Sequence, residues 1–139
     1  MIGVVVVTHG QLATELVNST EMIVGDLPRF TAVSIGWHED THDARAEIEQ
    51  AITRVQQGQG VLILTDMFGG TPSNLAMTFL GENTVEVITG VNLPMLIKLA
   101  GLLEKSDLLT AAREMREHGR NAIWVASDLL RGDKADDRR

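Results

Sequence analysis

The chain has 139 residues, 44% of them hydrophobic, which suits one domain with a buried core and is too apolar for a disordered chain. It has no cysteine, which excludes disulfides, thiolate metal sites and thiol nucleophiles, and suits a reducing compartment. The formal net charge is −7, and Lys98, Lys105, Arg113, Arg116 and Arg120 are mixed with acids rather than gathered in a basic stripe, which argues against nucleic acid as a partner.

Ile2 to Val7 is a continuous β-branched run that reads as a strand buried on both faces. No basic leader precedes it, so no secretory signal is expected. The longest apolar runs, Val4 to Val7 and Val61 to Leu64, fall far short of the roughly 20 residues of a membrane span. Leu12, Leu16, Met22 and Ile23 recur near helical spacing, with Gly25 as the stop. Phe30 to Ile35 alternates as a second strand. Asp40 to Gln57 reads as a second helix, stopped by Gly58 and Gly60, with Ala44, Ile48, Ala51, Ile52 and Val55 on one face. Val61 to Thr65 is a third strand. Thr71-Pro72 opens a short third helix, with Thr71 as the expected N-cap and Pro72 in its first turn. Val85 to Ile88 is a fourth strand, and Pro94 opens a helix to about Glu104. Leu108 to His118 is a fifth helix ended by Gly119, where His118 suits the negative end of the dipole. Ala122 to Ala126 reads as a last short strand. A single domain over 1–130 and a charged, disordered tail over 131–139 are expected.

Strands alternating with helices predict an α/β fold with an open, mainly parallel sheet and helices on both faces. A strand order of 2-1-3-4 would set strands 1 and 3 side by side, send their outgoing helices to opposite faces, and leave a crevice at their carboxyl ends. Thr8-His9-Gly10 and the loop from Thr65 to Asn74 would then meet there. His9 could serve as nucleophile, because imidazole carries protons, metals or phosphoryl groups near neutral pH. A hydrogen bond from Asp66 to one ring nitrogen would orient the ring and leave the other nitrogen reactive. Gly69-Gly70 permits close approach to a ligand, and the helix start at Gly70, Thr71 and Ser73 could bind phosphate through free N–H groups. The loop lacks the Gly-Lys-Ser/Thr of a nucleotide-binding loop, and no Gly-x-Gly-x-x-Gly follows the first strand.

Three stretches, Thr8-His9-Gly10, Thr65 to Asn74, and Gly90-Val91-Asn92-Leu93-Pro94-Met95-Leu96, resemble the EIIA domain of the mannose family (mannose, fructose, sorbose) of the bacterial phosphoenolpyruvate-dependent sugar phosphotransferase system. Their order and spacing span the chain to about residue 126. The resemblance implies a cytoplasmic transferase, in reach of a membrane permease, in which His9 accepts a phosphoryl group from HPr and passes it to an EIIB partner. Membrane EIIC and EIID are then indirect partners. It implies that Asp66 pairs with His9, that Thr71 and its helix start hold the phosphoryl oxygens, and that Asn92 borders the site. Read alone, Asn92 is a turn residue. The resemblance also implies a homodimer in which Asn121 to Ala126 crosses to the neighbour's sheet. Neither cofactor nor metal is implied. The chain departs from well-studied mannose members at Gln11 and Phe68, site-rim positions where those carry tryptophan, and it shows no Ala/Pro-rich linker or fused EIIB domain.

Other readings are a regulatory EIIA or one feeding dihydroxyacetone kinase, a non-catalytic anion-binding module, and a zinc hydrolase. The last rests on His38-Glu39-Asp40-Thr41-His42, which matches the zinc-protease pattern. The match straddles a loop and a helix start, and no third ligand follows nearby. Trp37, just before it, reads as a packing residue.

Overall fold

The computed structural model describes residues 1–102 and 107–132. Four parallel strands form the sheet: β1 (Gly3–His9), β2 (Phe30–Ile35), β3 (Val61–Thr65) and β4 (Val85–Thr89), in the order β2-β1-β3-β4. Among the described residues six helices connect and cover them: α1 (Leu12–Val24), α2 (Thr41–Val55), α3 (Thr71–Met77), α4 (Leu93–Ala100), α5 (Leu108–Asn121) and α6 (Ala126–Leu130). None is long and apolar enough to cross a membrane.

The valines of β1 explain the layering, because successive side chains of a strand point to opposite faces. Val4 and Val6 pack with Leu62 and Leu64 against α1, α4 and α5, through Ala13, Val17, Leu96, Leu99 and Met115 among others. Val5 and Val7 pack with Val61 and Ile63 against α2 and α3, through Ala44, Ile48, Ala51, Val55 and Leu75. All four valines are fully buried, as expected of a central parallel strand. At the amino end of the sheet, the buried Arg29 donates to the carbonyls of Ile2 and Leu99, so a cation sits against the carbonyl end of α4.

Several boundaries differ from the sequence reading. β1 runs on to His9 because it still has a partner there: His9 is in register with Ile35, and the Gly10 N–H donates to the Ile35 carbonyl (2.8 Å). Gly119 lies inside α5 rather than after it. A Cβ there would come within 2.6 Å of Met95 Cε, so the glycine serves the contact between α4 and α5. α3 is capped by Gly70, with Thr71 as its first residue. Glu104, the expected end of the fourth helix, lies outside the described residues, as do residues 133–139 of the expected tail. The last strand, Ala122 to Ala126, does not form within the chain. Among the described residues the sheet has four strands, and Ala126 instead begins α6 after an extended Val125. A strand needs an edge to pair with, and no edge of the chain's own sheet receives this segment.

Candidate functional site

The β2-β1-β3 order creates the predicted switch point. α1 leaves β1 for one face of the sheet, α3 leaves β3 for the other, and their loops part above the carboxyl ends of β1 and β3. His9 and Asp66 meet in that opening. The last β1–β3 register pair is Val7 with Thr65, so His9 has outrun β3 and lies beside the residue that follows it. One oxygen of Asp66, Oδ2, accepts from both the His9 backbone N–H (3.1 Å) and ring Nδ1 (2.8 Å). The carboxylate thus takes the place of a ladder carbonyl and holds the ring as well. Its other oxygen accepts the Met67 N–H (3.1 Å), which fixes the carboxylate plane.

Because a carboxylate can only accept, Nδ1 carries the proton and the lone pair of Nε2 is free. The His9 side chain is 51% exposed against 15% for Asp66, so the ring faces solvent and its orienter lies behind. Gly70 closes against the ring with φ 88° and ψ 170°, a region that essentially only glycine occupies. A Cβ there would stand 3.1 Å from both Nε2 and Cε1 of His9. The loop is drawn tight by Ser73, whose buried Oγ accepts the Gly69 N–H (2.9 Å). The Asn74 N–H bonds to the Gly70 carbonyl, whereas the N–H groups of Thr71 and Ser73 belong to the first turn and have no intrahelical acceptor. Pro72 has no N–H to offer.

A cleft of about 590 Å³ opens beside His9, lined by Gly10, Ile35, Gly36, Trp37, Gly70 and Thr71. Of the residues singled out in the sequence, His9, Asp66, Gly70 and Thr71 come together here, with Ser73 beneath as a loop tie. Phe68 projects into solvent, and Gln11 occupies the N-cap position of α1 without a side-chain capping bond. The α1 cap is instead Thr8, whose Oγ1 accepts the Ala13 N–H (2.6 Å). Asn92 does not line this cleft. Its Oδ1 accepts the Met95 N–H (3.1 Å) as the N-cap of α4, and its Nδ2 donates to the Gly119 carbonyl (2.9 Å). Both ends of the amide are occupied in joining α4 to α5, and Asn92 lines a separate hollow with Gly90, Gly119 and Ile123.

Trp37 corrects the sequence reading most sharply. It packs in no core and is 96% exposed, on the wall of the His9 cleft. The available signal was its position: it follows β2 by two residues, and β2 ends beside His9. The histidines of the zinc-like pattern are split between the loop after β2 and the first turn of α2, where Asp40 caps the His42 N–H (2.7 Å). Glu39 Oε1 accepts the Gly36 N–H (3.1 Å), and its enclosed Oε2 finds a donor only when the neighbouring Glu47 holds a proton. That hydrogen bond, followed by burial and the charges of Glu39 and Asp43, pushes the Glu47 carboxyl up to about 7.

Comparison with known proteins places this arrangement. The family profile described as "PTS system fructose IIA component" matches residues 3–116, which includes both loops of the crevice. The chain belongs to the EIIA-man family. A fructose-specific EIIA component of Bacillus subtilis is 30% identical to this EIIA-man protein over 131 residues, covering 94% of the chain and 90% of that protein. The mannose-specific EIIAB component of Escherichia coli K12 is 34% identical over 103 residues, covering 70% of the chain but 30% of that longer protein. The crystal structure of a PTS IIA protein associated with the fucose utilization operon of Streptococcus pneumoniae superposes with a TM-score of 0.81 at 26% identity, covering 92% of this chain and 95% of that one. The EIIA-man fold and a phosphotransfer role in a sugar phosphotransferase system follow from this membership.

Proposed function

We propose that His9 is the phosphoryl acceptor, taking the group from phospho-HPr and passing it to an EIIB partner for sugar uptake. The observation that carries this reading is the 2.8 Å bond between Asp66 Oδ2 and Nδ1, which leaves Nε2 with a free lone pair on a ring that lines the open cleft. In the forward step the Nε2 lone pair attacks phosphorus, the donor's phosphorus–nitrogen bond breaks in line, and the donor ring keeps that electron pair. The His9 ring becomes positively charged, and Asp66 stabilises that charge through the proton on Nδ1. The backbone N–H of Thr71 suits a phosphoryl oxygen, supported by the positive end of the short α3, while the buried Ser73 ties the loop that presents it. Transfer to EIIB reverses these events with a new acceptor. No cofactor enters this chemistry, and the protein would act in the cytoplasm beside a permease.

A homodimer with exchanged C-terminal segments belongs to the same reading. Ile123 and Val125 are 63% and 65% exposed, and Ile123 lies in a hollow bordered by Ile88 and Thr89 of the edge strand β4. A second copy of the segment could cover this face.

The test is incubation with phosphoenolpyruvate, enzyme I and HPr. The wild-type protein should acquire an acid-labile phosphate that His9→Ala lacks. A label that persists in His9→Ala would remove the site assignment.

A further inference from the structure

The loop between β2 and α2 raises a question that the phosphoryl chemistry leaves open. Several large apolar side chains are exposed, but Trp37 is the most exposed of those described, at 96%, and it stands on the wall of the nucleophile's cleft. The loop beneath it is built to hold it there. Glu39 N–H donates to the Gly36 carbonyl (3.3 Å), Glu39 Oε1 receives the Gly36 N–H, and Asp40 begins α2 with a side-chain cap. The His38 ring lies beside the indole, with centroids 6.5 Å apart and planes inclined by 28°.

We infer that Trp37 is a specificity-determining anchor for the phosphoryl-exchanging protein, seating in an apolar hollow that the partner borders with lysine or arginine. The inference rests on the proposed role of His9, whose cleft Trp37 lines. Charge argues for the basic border. Asp40 and Asp43 are exposed at the cap and first turn of α2 beside the loop, and Glu47, one turn further on, is bonded through its proton to Glu39. Arg45, the cation within that stretch, is turned onto the Phe79 ring 4.3 Å away. His38, Glu39 and His42 are the other titratable groups here. Tryptophan is the residue type most enriched among energetic hot spots of protein interfaces, and flanking charge of one sign speeds encounter with a partner of the other.

The test compares two donors to the same nitrogen. Phospho-HPr must dock. Phosphoramidate needs no docking: its phosphorus–nitrogen bond breaks, the bond to Nε2 forms, and ammonia leaves. For Trp37→Ala the KM for phospho-HPr should rise about tenfold or more, with the maximal rate within about twofold of wild type. Labelling by phosphoramidate should be unchanged, and Trp37→Phe should restore most of the KM. Asp43→Asn should weaken the salt dependence of the phospho-HPr reaction. An unchanged KM in Trp37→Ala overturns the inference. So does an equal loss with phosphoramidate, which would make Trp37 a wall for small molecules. Wild-type protein that neither donor labels at His9 would defeat the underlying phosphocarrier reading, and the anchor with it.

Discussion

Replacing Asp66 isolates the group on which the proposed chemistry depends. A single oxygen of Asp66 receives two N–H groups of His9, at 2.8 and 3.1 Å, and only the shorter bond touches the reacting ring. A hydrogen bond with one charged partner contributes about 1.5–3 kcal/mol. It should matter most once the ring is phosphorylated and cationic, so its loss raises the barrier more than it destabilises the resting state. The Asp66 side chain is only 15% exposed, so water screens the interaction little. Asp66→Ala should therefore slow transfer from phospho-HPr by roughly 30- to 150-fold, from a barrier raised by about 2–3 kcal/mol. Asp66→Asn keeps an acceptor oxygen but loses the charge, and its amide would face the Met67 N–H, donor against donor. A loss of about tenfold is expected for it, at about 1.4 kcal/mol. Rapid-quench measurement of single-turnover phosphorylation gives the rates, and thermal melts show whether each variant is folded. Folded variants that both transfer within about twofold of wild type would refute the role assigned to the carboxylate.

Other consequences can be checked on the same protein. Glu47 is raised to about 7 in the folded state from an ordinary value of 4.5, so the folded protein holds an extra proton between those pH values. Its contribution is present below the unfolded value and fades as pH climbs through 7. Because Glu47 is exposed, the effect after solvent screening is at most about 1 kcal/mol. Urea titrations at pH 5 and pH 8.5 should show Glu47→Gln losing less stability than wild type across that interval; equal losses would contradict the shared proton. Asn92→Ala removes a helix cap and a tie to α5, and should cost about 1–3 kcal/mol in chemical denaturation while phosphoryl transfer stays within about threefold. A selective loss of transfer would instead put Asn92 in the site. For the dimer, Val125→Asp should convert a two-chain mass to a one-chain mass in sedimentation, and a wild-type monomer would end the exchanged-segment proposal.

The strands were legible because parallel central strands need unbroken apolar runs, and those of β1 and β3 could hardly be read otherwise. Crossover handedness narrowed the topologies, and the order 2-1-3-4 among them brings His9 and Asp66 together. What stayed hidden depended on partners distant in sequence. Gly119 looks like a helix stop until Met95 is seen to fill the space that a side chain would need. Asn92 carries the same letters whether it borders a site or caps a helix, and only the Gly119 carbonyl decides. Trp37 resembles a core residue by type, and its exposure depends on β2 being the outer strand next to His9. The segment after α5 has the composition of a strand but no edge of its own to join.

The placement of His9 within the β1–β2 ladder reaches beyond chemistry. Its amide hydrogen is held by the Asp66 carboxylate, and the next amide along the chain is held by Ile35. A half-exposed reactive residue should therefore have a backbone that exchanges with deuterium on the slow timescale of the buried sheet, not of a surface loop.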